Sequence, residues 1–266
     1  MAKDEAQLKI EKNLKKIKNR LLVFSGKGGV GKSTVAANLA ISLARKGLKV
    51  GLLDVDIHGP NLAKMLGVED KRLDISSNGI KAVQVNENLQ LVSMAFLLEN
   101  PDLPVIWRGP MKMKAIQQFL GDVIWGELDW LIIDSPPGTG DEPLSIAQLI
   151  PASGSLVVTT PQEVSLMDSR KAVAFATRLN LRMFGIIENM SGLSCPHCKE
   201  KIDLFMKGGG EKAARELGVP FLGSIPIDPQ IVSLGDSGQS FLDKRSDSEA
   251  SLAFGKIVEN IINIAG

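Results

Sequence analysis

One stretch constrains this chain more than any other: LLVFSGKGGVGKSTVAANLAISLARKG, residues 21 to 47. An apolar run, Leu21 to Phe24, leads into a glycine-rich turn, Gly26 to Gly31. Lys32, Ser33 and Thr34 follow, then an Ala/Leu pattern at helical spacing. Strand, loop and helix in that order fit G-x-x-x-x-G-K-[ST], the phosphate-binding loop. Gly26, Gly28, Gly29 and Gly31 lack Cβ atoms, so backbone N–H groups there and at Lys27 and Val30 can turn inward around phosphate oxygens. The helix that follows adds its positive end. Lys32 is placed to reach the β- and γ-phosphates, and Ser33 to ligate Mg2+, with Thr34 beside it. ATP or ADP with Mg2+ is therefore the expected ligand.

The rest of the chain sets the frame. At 266 residues, one α/β domain with a sizeable core is expected. A net charge of +1 gives no global reason to expect nucleic acid or an anionic membrane as partner. No apolar run approaches the roughly 18 residues of a membrane span, and the charged start MAKDEAQLKIEKNLKK has no apolar signal core. A cytoplasmic protein is expected. Residues 1 to 20 read as a basic helical extension, with Ile10, Leu14, Ile17 and Leu21 at helical spacing. It is either a helix docked on the domain or an arm for acidic surfaces. Residues 21 to 266 read as a doubly wound, mostly parallel sheet flanked by helices, because apolar runs alternate with helical patterns. Asn78-Gly79 marks a hairpin turn between short strands.

Two further strands should end in carboxylates. Leu48 to Asp54 runs into DVDIHGPN, so Asp54 and Asp56 stand at a strand's carboxyl end, where ligands bind in open α/β sheets. Either can hold Mg2+-bound water or orient an attacking water. Leu128 to Asp134 is followed by SPPGTGDE, a Walker B pattern in which Asp134 helps hold Mg2+. Gly138 in that loop can bring a backbone N–H to the γ-phosphate, which makes the loop a phosphate sensor.

The chain has two cysteines, Cys195 and Cys198, in CPHC. Such a pair is a redox couple, half of a metal site, or two buried thiols. Zinc or an iron–sulfur cluster needs about four soft ligands. One chain offers two, and a two-fold dimer four. Thiolate chemistry alone does not separate zinc from [4Fe–4S].

Lys27, directly after the first glycine, makes GKGGVGKS resemble the deviant Walker A motif of MinD/ParA/NifH-type ATPases. That resemblance implies a nucleotide-dependent homodimer in which Lys27 contacts nucleotide across the interface. DVDIHGPN resembles the same class's first switch region, which implies that Asp56 positions the hydrolytic water and Asp54 lies near the Mg2+ shell. Taken with WRGPM, DSPPGTGDE, ENMS and CPHC in this order, the chain resembles the Mrp/ApbC (Nbp-type) family of iron–sulfur cluster carrier ATPases along nearly its whole length. The resemblance implies that Cys195 and Cys198 ligate a [4Fe–4S] cluster shared across the dimer and passed to apo-proteins. It also implies that Asn189 contacts adenine and that the segment from Pro226 to Asp228 completes the base pocket, with the cysteine loop spanning residues 189 to 205. Two departures are visible. Ser135 replaces a proline usual in the DPPPGTGD loop, and no N-terminal cysteine cluster occurs, so a second stable cluster is not expected. The rival readings are a MinD/ParA-like positioning ATPase and a zinc-stapled regulatory dimer. The first wants a basic amphipathic C-terminus, but SLAFGKIVENIINIAG carries one Lys and one Glu. Arg108 of WRGPM reads equally as a phosphate or dimer contact and as packing on Trp107.

Overall fold

A computed structural model describes residues 5–56, 59–97, 109–195, 197–198 and 200–266. Helix α1 (Glu5–Leu14) precedes strand β1 (Ile17–Ser25), and the phosphate-binding loop joins β1 to helix α2 (Lys32–Arg45). Strand β2 (Val50–Asp54) leads to one helical turn, α3 (Leu62–Met65). A short hairpin, β3 (Asp74–Ser76) and β4 (Gly79–Lys81), comes next, then strands β5 (Val83–Asn86) and β6 (Leu89–Ser93). Helix α4 (Gly109–Gly121), strand β7 (Leu128–Asp134), helix α5 (Asp141–Leu149), strand β8 (Gly154–Thr159), helix α6 (Glu163–Arg178) and strand β9 (Met183–Glu188) then alternate. Two two-residue strands, β10 (Leu193–Ser194) and β11 (Lys201–Ile202), form a small hairpin. Helix α7 (Gly209–Leu217), strand β12 (Phe221–Ser224) and helices α8 (Pro229–Asp236), α9 (Phe241–Lys244) and α10 (Glu249–Ala265) complete the chain.

The main sheet runs β12–β9–β8–β1–β7–β2–β6–β5, parallel except for the antiparallel edge strand β5. Strand pleating sends successive side chains to opposite faces, and both faces are covered. Leu21 and Val23 of β1 join the core under α2, α9 and α10, while Leu22 and Phe24 join the core under α1, α4 and α6. The central strands are therefore apolar without alternation, and they end in polar residues where the cover stops. Because the strands are parallel, the carboxyl ends of β1, β2, β7, β8, β9 and β12 lie along one edge.

Two local expectations shift. The helix over residues 1 to 20 stops at Leu14, and Ile17 already pairs with Leu128 of β7. The half-buried Arg20 makes that break: its Nη1 donates to the Leu14 and Ile17 carbonyls at 3.1 and 2.7 Å, and its Nε to Pro151 O at 2.6 Å. Ile17 and Leu21 fit both helical and strand periods, so spacing alone does not decide between them. Helix α1 is docked, with Ile10 and Leu14 buried and the Asn13 amide donating to the carbonyls of Leu120 and Val123 at 2.8 Å. The β3–β4 turn falls on Ser77-Asn78, with Gly79 in the strand opposite Ser76. Gly79 has φ +131°, and a Cβ there would meet the Asp122 carbonyl, so the glycine serves a close approach. Helix α5 carries Pro143 in its first turn, where no helical N–H is needed. Among the described residues, no helix is long and apolar enough to cross a membrane.

Candidate nucleotide and metal-binding site

Gly31 opens α2 with φ +80° and ψ 27°, and the Val35 N–H bonds to its carbonyl at 2.9 Å. A side chain at Gly31 would collide with the Asn189 amide, and one at Gly26 with the Asp168 backbone of α6. The loop glycines thus permit close approach as well as turning. Gly28 and Gly29 are exposed, Lys27, Ser33 and Thr34 half-buried, and Val30 buried.

The charged centre lies deeper. Asp134 is fully buried at the end of β7, between Val23 of β1 and Asp54 of β2 in register. Lys32, itself 6% exposed, reaches it at 2.5 Å from Nζ to Oδ1, and Lys32 Nζ also lies 3.3 Å from Ser33 Oγ. Asp54 Oδ2 accepts from Ser93 Oγ at 2.8 Å, and its Oδ1 from the Asp56 N–H at 3.1 Å. Burial, reinforced by the Asp134 charge, pushes the Asp54 carboxyl up to about 8. Burial also raises Asp134, against the pull of Lys32. The second oxygen of Asp134 has no hydrogen-bond partner among the described residues, and neither do the buried hydroxyls of Ser25 and Ser135.

Two buried carboxylates with one ammonium and an unpaired oxygen make a cation-seeking site. The donors are hard oxygens, which suit Mg2+, an ion held by one or two carboxylates with waters and phosphate oxygens. Among the described residues no three His, Cys, Asp or Glu side chains gather into a complete metal cage, which also suits an ion completed by phosphate and water. Ser33, Asp54 and Asp134 are the residues that would hold it.

Other site residues are engaged internally. The Gly138 N–H, in a residue with φ +94°, donates to the Ser25 carbonyl at 2.9 Å. Asn189 is buried, and its Nδ2 donates to the Val30 carbonyl of the glycine loop at 2.9 Å. Asp228 caps helix α8 by accepting from the Gln230 N–H at 2.9 Å. It shares with the half-buried Pro226 the wall of a cavity of about 480 Å3 that also touches Ser194, Arg245 and Glu249. Asp56 is half-buried beside Asp54. Arg108, Trp107 and His58 lie outside the described residues.

The cysteines sit at the tip of the β10–β11 hairpin, Cys195 half-buried and Cys198 exposed. The Cys195 N–H donates to the Glu200 carbonyl at 2.9 Å. The hairpin touches the sheet edge: the Ile227 N–H donates to the Gly192 carbonyl at 2.8 Å, Leu193 bridges to Ile227, and Ser194 Oγ donates to Glu249 Oε2 at 3.1 Å. The cysteine loop is therefore built onto the segment from Pro226 to Asp228.

The family model of the NUBPL iron-transfer P-loop NTPases, grouped with ParA, matches residues 16–262. The chain belongs to this family. It is 51% identical over 255 residues to the iron-sulfur cluster carrier protein of Methanocaldococcus jannaschii, covering 96% of this chain and 87% of that one. It is 46% identical over 256 residues to the cytosolic Fe-S cluster assembly factor NUBP2 of Bos taurus, covering 94% of each. Among solved structures it resembles a nucleotide-binding protein from Archaeoglobus fulgidus in complex with ADP, with TM-score 0.79, 39% identity, and 88% and 91% of the two chains covered. The MinD cell-division ATPase of Pyrococcus furiosus, at TM-score 0.69 and 24% identity, shares the fold.

Sequence reasoning missed two site residues. Ser93 ends β6 directly opposite Asp54 in register, so strand pairing alone would have found it. Glu188, in ENMS, is fully buried and holds the base of the cysteine loop. Its signal was a carboxylate closing an otherwise apolar strand.

Proposed function

We propose that this chain is an ATP-dependent carrier that holds a labile [4Fe–4S] cluster between two copies of itself and passes it to apo-proteins of the cytosol. The observation that carries the reading is the placement of a two-cysteine hairpin on the nucleotide edge of an iron-transfer P-loop fold. Two thiolates are half of what a cluster needs, and a second copy related by a two-fold axis supplies the rest. The family and its named relatives support iron–sulfur cargo over zinc. Helix α10 is not the surface-seeking helix a positioning ATPase would want, since its Phe254, Ile257, Val258 and Ile261 are buried in the core.

Within this reading the residues divide the work. The amides from Gly26 to Thr34 cradle the phosphates. Lys32 exchanges Asp134 for phosphate oxygens, which frees that carboxylate for the Mg2+ shell with Ser33 and Asp54. The ion would neutralise charge developing on the phosphates. Asp56 orients the attacking water. Gly138 exchanges the Ser25 carbonyl for a phosphate oxygen, and Lys27 reaches the nucleotide of the second copy. Asn189, Pro226 and Asp228 border the base. Lys32, Gly138 and Asn189 already have internal partners, so binding exchanges those hydrogen bonds; in this reading turnover is slow and tied to cluster loading or release.

The test is Cys195→Ser, reconstituted anaerobically with iron and sulfide and assayed for metal content. Cluster absorption should be lost while ADP affinity stays within about twofold of wild type. A variant that keeps its iron–sulfur spectrum, or a wild type that purifies with zinc alone, ends the carrier reading.

A further inference from the structure

The excursion that carries the cysteines leaves the sheet at Glu188 and returns at helix α7. Glu188 is fully buried, and its carboxylate makes three hydrogen bonds that bracket the excursion. Oε1 accepts from Ser191 Oγ at 2.5 Å on the outgoing side and from the Gly208 N–H at 3.1 Å on the returning side. Oε2 accepts from the Gly210 N–H at 2.6 Å, in the first turn of α7. One side chain thus bolts both ends of the loop together and fills the positive end of a helix with its own charge.

The glycine run KGGGE has its explanation here. Gly208 sits at φ +78°, in the left-handed region. A Cβ at Gly210 would stand 2.9 Å from Glu188 Cβ, and one at Gly209 would meet the Pro161 carbonyl. Glycine is what lets the returning backbone come within hydrogen-bond reach of the carboxylate. The next residue, Asn189, grips the other loop, with its amide on the Val30 carbonyl and its backbone N–H on Thr159 O at 2.7 Å. The end of β9 therefore holds the cysteine excursion with one side chain and the phosphate loop with the next.

From this geometry we infer that Glu188 is a positioning residue for Cys195 and Cys198: it fixes the base of their loop to the strand end that also anchors the phosphate-binding loop. The inference rests on the carrier reading for what the cysteines hold, but the placement it describes does not need a cluster to be measured.

The test compares Glu188→Gln and Ser191→Ala with wild type, all as the full chain. Glutamine puts an NH2 group against N–H donors, while Ser191→Ala removes one bond and leaves the helix cap. Three quantities are read: iodoacetamide labelling rates of Cys195 and Cys198 by peptide mass, affinity for a fluorescent ADP analogue, and lifetime of the reconstituted cluster against a chelator. Losing a charge-assisted bond at the loop base should speed labelling of Cys195 about tenfold in Glu188→Gln and about threefold in Ser191→Ala. Cluster lifetime should shorten in parallel, and ADP affinity should stay within about twofold. Unchanged labelling in a folded variant overturns the assignment. So does a fall in ADP affinity in step with the labelling change, because that marks general loosening. If Glu188→Gln does not fold, the Ser191→Ala labelling ratio decides. A wild type that binds no cluster refutes the carrier reading and leaves the labelling result standing.

Discussion

The two working ends of this sheet edge are built in opposite ways. At the phosphate end, Asp54 and Asp134 are held by adjacent parallel strands in register, and both are fully buried. Lys32, which answers them, comes from the first turn of a helix buried along most of its length. At the cysteine end, two strands of two residues carry an exposed tip, and position comes from side-chain and backbone ties to neighbouring elements. One end is placed by the sheet itself, the other by a few bonds that a single substitution can remove. A site that must hold charge benefits from the first construction. A site that must give up its cargo benefits from the second.

The largest expected effect lies at the phosphate end. Lys32→Ala removes the ammonium that pairs with the buried Asp134 and that, in the proposed reading, meets the phosphates. ADP and ATP affinity should fall about 100-fold, the cost of losing a charged phosphate contact in a desolvated site. Labelling of Cys195 should not change, because the described ties that hold the β10–β11 hairpin run to Ile227 and Glu249. Isothermal titration and mass-resolved labelling on the same preparation check both halves. A large labelling change would show that the two ends share their support and would break the contrast.

That contrast also explains what the sequence made legible. The apolar runs ending in Ser25, Asp54 and Asp134 are long, doubly buried and punctuated by glycine and aspartate, so strand, loop and ligand are read together. Their spatial meeting follows from parallel pairing at adjacent positions. Ile17 fits two periods, and of the bonds from Arg20 at the end of α1, those to Leu14 and Ile17 are local while the one to Pro151 joins segments far apart in sequence. The cysteine loop was legible as chemistry and not as geometry. Two-residue strands have no periodicity to read, and the bond from Ile227 to Gly192 joins segments far apart in sequence. Glu188 and Ser93 act through tertiary partners, which composition and spacing do not carry.

A second prediction turns on the buried carboxyls. Asp54 is pushed up to about 8, so the folded protein holds a proton that the unfolded chain releases near pH 4. The folded state binds more protons between those values, and stability therefore falls as pH rises from about 4 to about 8. The slope for one proton is about 1.4 kcal/mol per pH unit at its steepest. Melting temperature measured from pH 5 to 8 in chelator-treated buffer should decline for wild type. Asp54→Asn removes one of the two raised carboxyls, leaving Asp134, and should show a flatter profile. Adding Mg2+ with ADP should restore wild-type stability at pH 8, since a cation replaces the proton. An Asp54→Asn profile as steep as wild type would place the titration elsewhere.

The smallest effect is the most exacting test of the contrast. Ser194 Oγ donates to Glu249 at 3.1 Å in an exposed setting, where such a bond contributes about 0.5 kcal/mol. Ser194 is also the residue directly before Cys195, and its hydroxyl ties the hairpin sideways to the start of α10. If position at this end is shared among several weak ties, Ser194→Ala should speed Cys195 labelling only about twofold. Melting temperature and ADP affinity should not move. The order of labelling rates should then run Glu188→Gln, Ser191→Ala, Ser194→Ala, from the bolt at the base of the loop to the tie at its side. A Ser194→Ala effect as large as that of Glu188→Gln would shift the hinge of the hairpin from its base to the contact with α10. The cysteines would then answer to the helix that borders the Pro226–Asp228 cavity more than to the strand that anchors the phosphate loop.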